Sequence, residues 1–280
     1  MTALDCTVFL QWALPQLDLH WPGFRQVRRQ VCKRLTRRMH DLGLDNFAAY
    51  RARLQADPTE WRVLDECCHI TISRFFREAS VFEALRTLVL PDIAARAGRE
   101  GRNARVWSAG CASGEEPYTI KILWDLELAN AHPTASLSII ASDIDGAMLA
   151  RARQGCFEPT SLHELPPSLV EPAFERTGSL YCVKSRHRQG IDFIDQDLRS
   201  EVPGHLFDLI LCRYVALTYF ATPLQRKVMV RMIERLRPNG YFVIGAHEQL
   251  PGSVPELMPL VGEAHVFQKR AEAADPKLPD

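Results

Sequence analysis

The chain has 280 residues, of which 46% are hydrophobic and 24% charged, values typical of a globular protein with one large domain, or a core domain and a smaller companion. Its 34 Lys and Arg residues balance 34 Asp and Glu residues, so the whole molecule is not expected to bind nucleic acid electrostatically. No apolar run approaches the ~20 residues of a membrane span, and the N-terminus lacks the basic start of a signal peptide, which predicts a cytoplasmic protein without membrane insertion.

The first part of the chain is predicted to be helical. Val27, Val31 and Leu35 recur at helical spacing, and Gly43 follows as a stop signal. The predicted helices are 24–41, 45–56, 59–68 and 79–88, the last ending before Pro91. We therefore expect an N-terminal helical domain over residues 1–88.

From Arg105 onward, apolar strand patterns alternate with helical ones, which favours a parallel β-sheet covered by helices. Strands are predicted at 105–109, 137–142, 191–194, 207–212, 240–245 and 264–268, and helices at 115–130, 146–154 and 222–237. The segment 156–190 is long for a connection and contains a possible strand at 180–184, so we interpret it as a small insertion. The expected second domain covers 89–280.

A glycine-rich turn follows the first of these strands. Gly110 and Gly114 flank the turn, which opens a helix at Glu115-Glu116, and Asp143 ends the next strand. Glycines let the backbone approach a ligand, and an acid at the second strand end can accept ribose hydroxyls. Two carboxylates at a helix start would repel a pyrophosphate but attract a cation, which favours S-adenosylmethionine over NAD or ATP. The alternative is a tight packing turn whose acids only complement the helix dipole.

Other polar groups are expected at the same sheet edge. A buried strand delivers Arg213 and Tyr214 there, and Asp197-Leu198 follows an earlier strand, where it could contact the adenine. The junction segment 71–78 carries arginines of the kind that a donor carboxylate requires, although interdomain packing also explains it.

One predicted helix is strongly basic. Between positions 25 and 38 it has seven cations and no acid, so we expect a surface for an acidic helix or a phosphate backbone, with a plainly solvated face as the alternative. The cations are Arg25, Arg28, Arg29, Lys33, Arg34, Arg37 and Arg38.

The eight cysteines are scattered, and none has zinc-site spacing with another cysteine or a histidine. We therefore predict no metal site and reduced thiols at Cys6, Cys32, Cys67, Cys68, Cys111, Cys156, Cys182 and Cys212.

The motifs WSAGCASGEEPYTI, ASDID, FDLILCR, TYF and ITISRFFRE make the chain resemble the CheR-type chemoreceptor glutamate methyltransferases, from about Phe24 to Gln268. The resemblance implies an α/β Rossmann-like S-adenosylmethionine-dependent methyltransferase with an N-terminal helical domain and a small inserted antiparallel β-subdomain. It implies methyl ester formation on receptor glutamates, with S-adenosylhomocysteine as product, and docking of an acidic receptor helix on the basic helix. Nothing in the sequence suggests an obligate oligomer, so we expect a monomer. By matching motif positions, donor contacts are expected from Thr71, Ser73, Arg77, Gly110, Glu116, Asp143, Asp197, Leu198, Arg213 and Tyr214.

Within this family an ionised glutamate needs no general base, because its reference pKa is about 4.3. Arg213 and Tyr219 are the predicted catalytic residues that orient it. The chain departs from the family at Thr71 and Tyr214, where asparagine is common. Three alternatives remain: a non-catalytic donor-binding signalling module, a nucleic-acid methyltransferase that uses the helix at 25–38, and a small-molecule carboxyl methyltransferase.

Overall fold

A seven-stranded mixed sheet organises the chain, and the computed structural model describes residues 3–271. Ten strands are present in the described part: β1 Ala104–Ala109, β2 Leu137–Asp143, β3 Cys156–Phe157, β4 Phe174–Thr177, β5 Leu180–Val183, β6 Ile191–Asp195, β7 Phe207–Leu211, β8 Leu236–Val243, β9 Leu257–Leu260 and β10 Glu263–Lys269. The large sheet has the order β6-β2-β1-β7-β8-β10-β9. Its first five strands are parallel, and β10 and β9 are antiparallel to their neighbours.

The strand order reverses between β1 and β7, because the chain moves outward through β2 and β6 and then returns to the other side of β1. At such a switch point the loops after the two central strands separate and leave a crevice at the carboxyl edge. The sequence places its glycine turn directly after β1 and Arg213 directly after β7. The fold therefore delivers both segments to the same crevice.

Helices cover both faces of this sheet and form the N-terminal region. They are α1 Ala3–Ala13, α2 Trp21–Phe24, α3 Arg28–Asp41, α4 Phe47–Ala56, α5 Glu60–Cys68, α6 Ala79–Ala84, α7 Leu90–Arg99, α8 Glu115–Leu123, α9 Gly146–Gln154, α10 Pro167–Ala173, α11 Ala216–Tyr219 and α12 Thr222–Glu234. Neighbouring residues of β1 show why both faces are covered: Val106 and Trp107 point to opposite faces and are both fully buried. One core joins the N-terminal helices to the Trp107 face, and the other lies beneath α6, α7, α8 and the insertion.

The insertion predicted at 156–190 forms a separate three-stranded antiparallel sheet of order β3-β5-β4. The predicted fold class is thereby confirmed, including the N-terminal helical part and the inserted antiparallel unit. Strands β3, β4 and β9 were not predicted individually, because strands of two to four residues carry almost no periodicity. Helix α1 was not predicted as a separate element within the helical region.

Two predicted helix limits are wrong. The helix expected over 24–41 is interrupted by a turn at 25–27, so that α2 and α3 are separate elements. The helix expected to end before Pro91 continues from α6 through a π-helical stretch, Leu85–Val89, into α7. Proline lacks an amide hydrogen, and the helix accommodates it where the π-type bond from Leu90 N to Leu85 O already changes the hydrogen-bond register. The predicted boundary between residues 88 and 89 thus falls inside a continuous helix, and the domain division stays a prediction.

The prediction that all cysteines are reduced is also wrong. The structure joins Cys6 to Cys32 and Cys156 to Cys182, each pair 26 residues apart in sequence. The folding of α1 against α3 brings the first pair of Cα atoms to 6.1 Å, and antiparallel pairing of β3 with β5 brings the second to 4.0 Å. Sequence spacing alone does not reveal such pairings. Cys67, Cys68, Cys111 and Cys212 are free thiols.

Over the described residues, no helix is long and apolar enough to cross a membrane, and no cluster of three or more His, Cys, Asp or Glu residues is arranged to hold a metal ion.

The N-terminal helices meet the sheet domain closely at Gly23. A Cβ atom built on this glycine would lie 1.9 Å from the backbone oxygen of Thr218 in α11. We expect Gly23→Ala to lower the free energy of unfolding by roughly 1–3 kcal/mol, because the backbones of α2 and α11 must move apart. Chemical denaturation measures the change. Gly146→Ala is the control, since nothing lies within 4 Å of the added methyl, and an equal effect in both variants would contradict the interpretation.

Candidate active site

The predicted site residues converge on a cavity at the carboxyl edge of the sheet. From the sheet side it is lined by Gly110, Asp143, Asp197, Leu198, Arg213 and Tyr214. The segment after α5 and helix α11 contribute Thr71, Arg77 and Tyr219. Ser73 and Glu116 line a smaller adjoining recess that shares Arg77, Gly110, Arg213 and Tyr214 with the main cavity. The fold therefore brings together the residues predicted as donor contacts and as catalytic residues, whereas none of the predicted docking cations lines the cavity or the recess.

The glycine turn is fixed by the strand beside it. The N–H of Gly110 donates to the backbone oxygen of Ser142 at 2.8 Å, and the N–H of Ala112 donates to Oδ2 of Asp143 at 2.7 Å. Gly110 has a φ of 79°, and a Cβ at this position would lie 2.2 Å from Cγ2 of Val215. Glycine is therefore required both by the backbone conformation and by the approach of the loop that follows β7.

Asp143 presents a partly buried carboxylate to the cavity. Its Oδ1 accepts the N–H of Asp145 at 2.9 Å, so each carboxylate oxygen has one backbone donor and retains capacity for another. Burial raises the pKa of Asp143 above its usual value despite these two hydrogen bonds. The arrangement has free acceptor capacity for a pair of vicinal hydroxyl groups, and the ribose contact stays a prediction.

Arg213 lies deep between two carboxylates. Its guanidinium donates to Glu78 Oε2 at 2.8 Å, to Glu116 Oε2 at 2.9 Å and to the backbone oxygen of Arg77 at 2.6 Å. The other oxygen of Glu116 accepts the hydroxyl of Ser108 at 2.7 Å. Arg213 thus holds Glu116 in place at the start of α8. These contacts give no direct support to the prediction that Arg213 orients a substrate carboxylate.

Glu78 is a site residue that the sequence reasoning missed. Although burial alone would raise its pKa, hydrogen bonds from Tyr214 and Arg213 and from the N–H of Ala246 hold that pKa below the usual value. Glu78 follows Arg77 directly in the junction motif, and this position next to a predicted donor contact was the one sequence signal that could have identified it.

Tyr214 adopts a left-handed backbone conformation, with a φ of 57°. Asparagine tolerates this region better than tyrosine, which gives a physical reason for the asparagine common in the resembling family.

Glu248, buried at the end of the β8 region, accepts the N–H of Tyr214 at 2.9 Å and that of Gly245 at 2.8 Å. Through these two hydrogen bonds Glu248 fixes the loop after β7, a role that the sequence did not suggest. Burial raises the pKa of Tyr214 to about 12, with a further contribution from its hydrogen bond to Glu78.

Arg77 differs from Arg213 in its electrostatic surroundings. Its guanidinium carbon lies 4.3 Å from the centroid of the Tyr214 ring, and its Nη1 donates to the backbone oxygen of Ile72 at 2.6 Å. It has no carboxylate partner among residues 3–271. Arg77 is therefore the cation of the cavity that can still bind an anion.

Tyr219 closes the cavity opposite the sheet. Its ring packs against Phe24, with the centroids 4.9 Å apart, and burial raises its pKa to about 12. Its phenol consequently stays protonated at neutral pH and can donate a hydrogen bond.

A partly buried ion cluster joins α5 to the loop after β6. Arg199 donates to both oxygens of Asp65, at 3.0 and 2.7 Å, and its Nε donates to both oxygens of Asp197 at 3.0 Å. His69 lies 3.5 Å from Asp65 and also lines the cavity. Asp197 was predicted as a donor contact, whereas Asp65, His69 and Arg199 were missed, because the contact that joins them to the site, from Arg199 to Asp65, spans 134 residues of sequence.

The basic helix has an inner and an outer side. Arg38 makes two hydrogen bonds with the buried Glu60, at 2.9 and 2.6 Å, Arg34 donates to the backbone oxygen of His69, and Arg28 donates to Thr7 at 3.2 Å. The remaining predicted docking cations are exposed and have no ion-pair partner in the described part of the chain. We call this set the cationic stripe: Arg25, Arg29, Lys33 and Arg37.

Comparison with known proteins gives two family matches. A sequence model described as "CheR methyltransferase, SAM binding domain" matches residues 71–267, and one described as "CheR methyltransferase, all-alpha domain" matches residues 26–65. The chain is 35% identical over 225 residues to chemotaxis protein methyltransferase 2 of Pseudomonas aeruginosa, covering 78% of this chain and 77% of that protein.

It is also 31% identical over 246 residues to an uncharacterized 104.1 kDa protein of Rhodobacter capsulatus, covering 88% of this chain but only 26% of that protein. Among solved structures, the N-methyltransferase NodS of Bradyrhizobium japonicum aligns with a TM-score of 0.37 and 14% identity, over 63% of this chain and 92% of that one.

Proposed function

This chain belongs to the CheR methyltransferase family, and from that premise we propose that it transfers a methyl group from S-adenosylmethionine to glutamate carboxylates of a chemoreceptor-like protein. The name of the Pseudomonas aeruginosa relative supports a chemotaxis substrate. The observation that carries the proposal is the position of the cationic stripe: Phe24 lines the cavity, and Arg25 begins the stripe at the next residue. An acidic helix on the stripe would therefore lie beside the opening of the cavity.

The side chains of the cavity match the polar groups of the donor. Asp143 can accept the ribose hydroxyls, Glu116 can pair with the ammonium group, and Arg77 can bind the carboxylate. S-adenosylmethionine would supply the methyl group on an electrophilic sulfonium.

Orientation is the main contribution required from the enzyme. A glutamate carboxylate is already ionised at neutral pH, so no residue has to remove a proton from it. We assign the orienting hydrogen bond to Tyr219, whose phenol is protonated and lines the cavity. Arg213 acts through Glu116 and Glu78, as a positioning residue. Holding the carboxylate in line with the methyl group can account for several kcal/mol of the barrier.

The decisive test is methyl transfer to a cytoplasmic receptor fragment that contains acidic helices. With methyl-labelled S-adenosylmethionine, the label should enter the fragment and be released as methanol by mild alkali, as expected for an ester. A base-stable product, or transfer to RNA or DNA with steep salt dependence, would contradict the proposal.

The cationic stripe gives a separate prediction. We expect the double variant Arg29→Glu/Lys33→Glu to raise the KM for the receptor fragment roughly tenfold or more, with little change in kcat, because both side chains are exposed and act on the encounter with an acidic partner. Steady-state kinetics at two ionic strengths measures this change. Lys227→Glu, at an exposed position of α12, is the control, and the same KM for both variants would show that the stripe is not the docking surface.

A further inference from the structure

We propose that His20 positions Tyr219 for methyl transfer by holding the helical turn on which Tyr219 lies, an inference that rests on the proposed function. The Nε2 of the His20 ring lies 3.0 Å from the backbone oxygen of Thr218, across 198 residues of sequence. The backbone N–H of His20 donates to the backbone oxygen of Tyr219 at 3.0 Å. The N-terminal region thus completes the active site in addition to docking the receptor.

The turn that carries Tyr219 cannot hold its own shape. Helix α11 has only four residues, Ala216–Tyr219. The last four carbonyl groups of an α-helix have no partner within the helix, and an isolated helical turn is not stable in water. Donors from other parts of the chain must therefore hold these carbonyl groups if the phenol is to keep one position.

Two residues supply these donors. The Nε2 of the buried Gln225 donates to the backbone oxygens of Leu217 and Phe220, each at 2.9 Å. His20 contacts the two carbonyl groups between them, one through its ring and one through its backbone. A carbonyl oxygen can only accept, so the Nε2 of His20 carries the hydrogen in this contact.

The backbone on either side of His20 is joined to the same turn. The N–H of Ala221 donates to the backbone oxygen of Asp18 at 2.7 Å, and Leu19 forms an antiparallel bridge with Phe220. These backbone contacts do not depend on the side chain at position 20. Replacing the ring therefore removes one hydrogen bond and leaves the segment in place.

The precision of this turn should affect the chemical step more than donor binding. Glu248 holds the turn from the sheet side, since its Oε1 accepts the hydroxyl of Thr218 at 2.5 Å. His20 holds it from the N-terminal side. A displacement of about 1 Å of an orienting group can lower a rate roughly a hundredfold. The groups assigned to the donor lie on other elements, so a displaced Tyr219 lowers kcat and leaves donor affinity nearly unchanged.

The test compares His20→Leu with His20→Gln in the full chain. Leucine has no donor, whereas the amide of glutamine can return an N–H to the carbonyl of Thr218. We expect His20→Leu to lower kcat for methylation of the receptor fragment roughly tenfold or more, with the affinity for S-adenosylhomocysteine changed by less than about threefold. His20→Gln should recover most of the loss, and equal losses in both variants would overturn the proposal. His205→Leu, at an exposed histidine outside the cavity, is the control and should behave as the unmodified protein does.

A double-mutant cycle separates positioning from a general structural role. Tyr219→Phe removes the hydroxyl that His20 positions, so adding His20→Leu to this variant should lower kcat by less than about twofold further. Losses that multiply across the two substitutions would show that His20 acts elsewhere in the structure, and the proposal would be wrong.

The outcomes also separate this inference from the proposed function. If His20→Leu transfers the label as fast as the unmodified protein, positioning by His20 is wrong while methyl transfer stands. Full activity of Tyr219→Phe would remove the orienting role of the phenol, and the role of His20 with it, but not donor binding. If the unmodified protein transfers no label to the receptor fragment, the proposed function fails and this inference fails with it.

Discussion

Replacing Arg199 with methionine is expected to lower the free energy of unfolding by about 3 kcal/mol, since it leaves two carboxylates without their shared cation. Asp65 is buried, and the guanidinium of Arg199 donates one hydrogen bond to each of its two carboxylate oxygens. Methionine keeps most of the side-chain volume, so the change isolates charge and hydrogen bonding. Urea denaturation of the full chain measures the loss.

Two further variants make this prediction specific. Arg62→Met removes an exposed ion pair with Glu66 on the same helix as Asp65, and we expect a loss below about 0.5 kcal/mol. The double variant Arg199→Met/Asp65→Asn should recover part of the stability, because it also removes one of the unpaired charges. Equal losses for Arg199→Met and Arg62→Met would show that the cluster contributes no more than a surface pair.

The same cluster predicts how stability depends on pH. Although burial alone would raise the pKa of Asp65, hydrogen bonds from His69 and Arg199 hold it below its unfolded value. A lowered pKa in the folded state means that its contribution is complete above the unfolded value of about 3.9 and is lost as the pH falls through the folded value. Arg199→Met should therefore be less sensitive to acid over this range than the unmodified protein.

Asp143→Asn is expected to weaken binding of S-adenosylhomocysteine roughly a hundredfold and to lower the unfolding temperature by only a few degrees. Hydrogen bonds to a charged acceptor contribute about 1.5–3 kcal/mol, which corresponds to this change in affinity. Burial raises the pKa of Asp143, so its charge costs folding free energy at neutral pH, and the neutral amide removes that cost. The amide has only one acceptor oxygen for the N–H groups of Ala112 and Asp145, so one of them loses its partner and offsets this gain. Calorimetric titration and thermal unfolding measure the two quantities on the same sample.

Asp192→Asn is the matched control, because Asp192 is an exposed acid on the neighbouring strand β6. It should leave both binding and stability unchanged. Unchanged binding in Asp143→Asn would remove the ribose assignment, and a large loss of stability would indicate that Asp143 chiefly fixes the glycine turn through Ala112.

Groups that follow a strand directly could be placed from the sequence. Gly110, Asp143 and Arg213 all come within a few residues of a buried strand, and parallel strands carry such residues to one edge. The alternation of strands and helices was therefore sufficient to bring these positions together before any coordinates were known.

Partnerships between distant segments could not be placed in this way. Arg199 and Asp65 are 134 residues apart, and Glu78 reaches Arg213 across 135 residues. Nothing local in the sequence distinguishes these acids from surface acids. Likewise, nothing local distinguishes Arg38, which pairs with Glu60, from the exposed cations of the same helix. The two disulfides escaped prediction for the same reason, since pairing depends on how α1 meets α3 and how β3 meets β5.

The adjacency of Phe24 and Arg25 has a thermodynamic consequence for signalling. One residue forms part of the cavity wall, the next belongs to the cationic stripe, and Gly23 before them lies against the backbone of α11. A methyl donor and a docked helix would therefore act on one short stretch of backbone. Linkage requires that whatever factor a docked helix applies to donor affinity, the donor applies equally to the affinity for that helix. Under the proposed function, a change in donor concentration would then change the affinity for the docked helix by that factor.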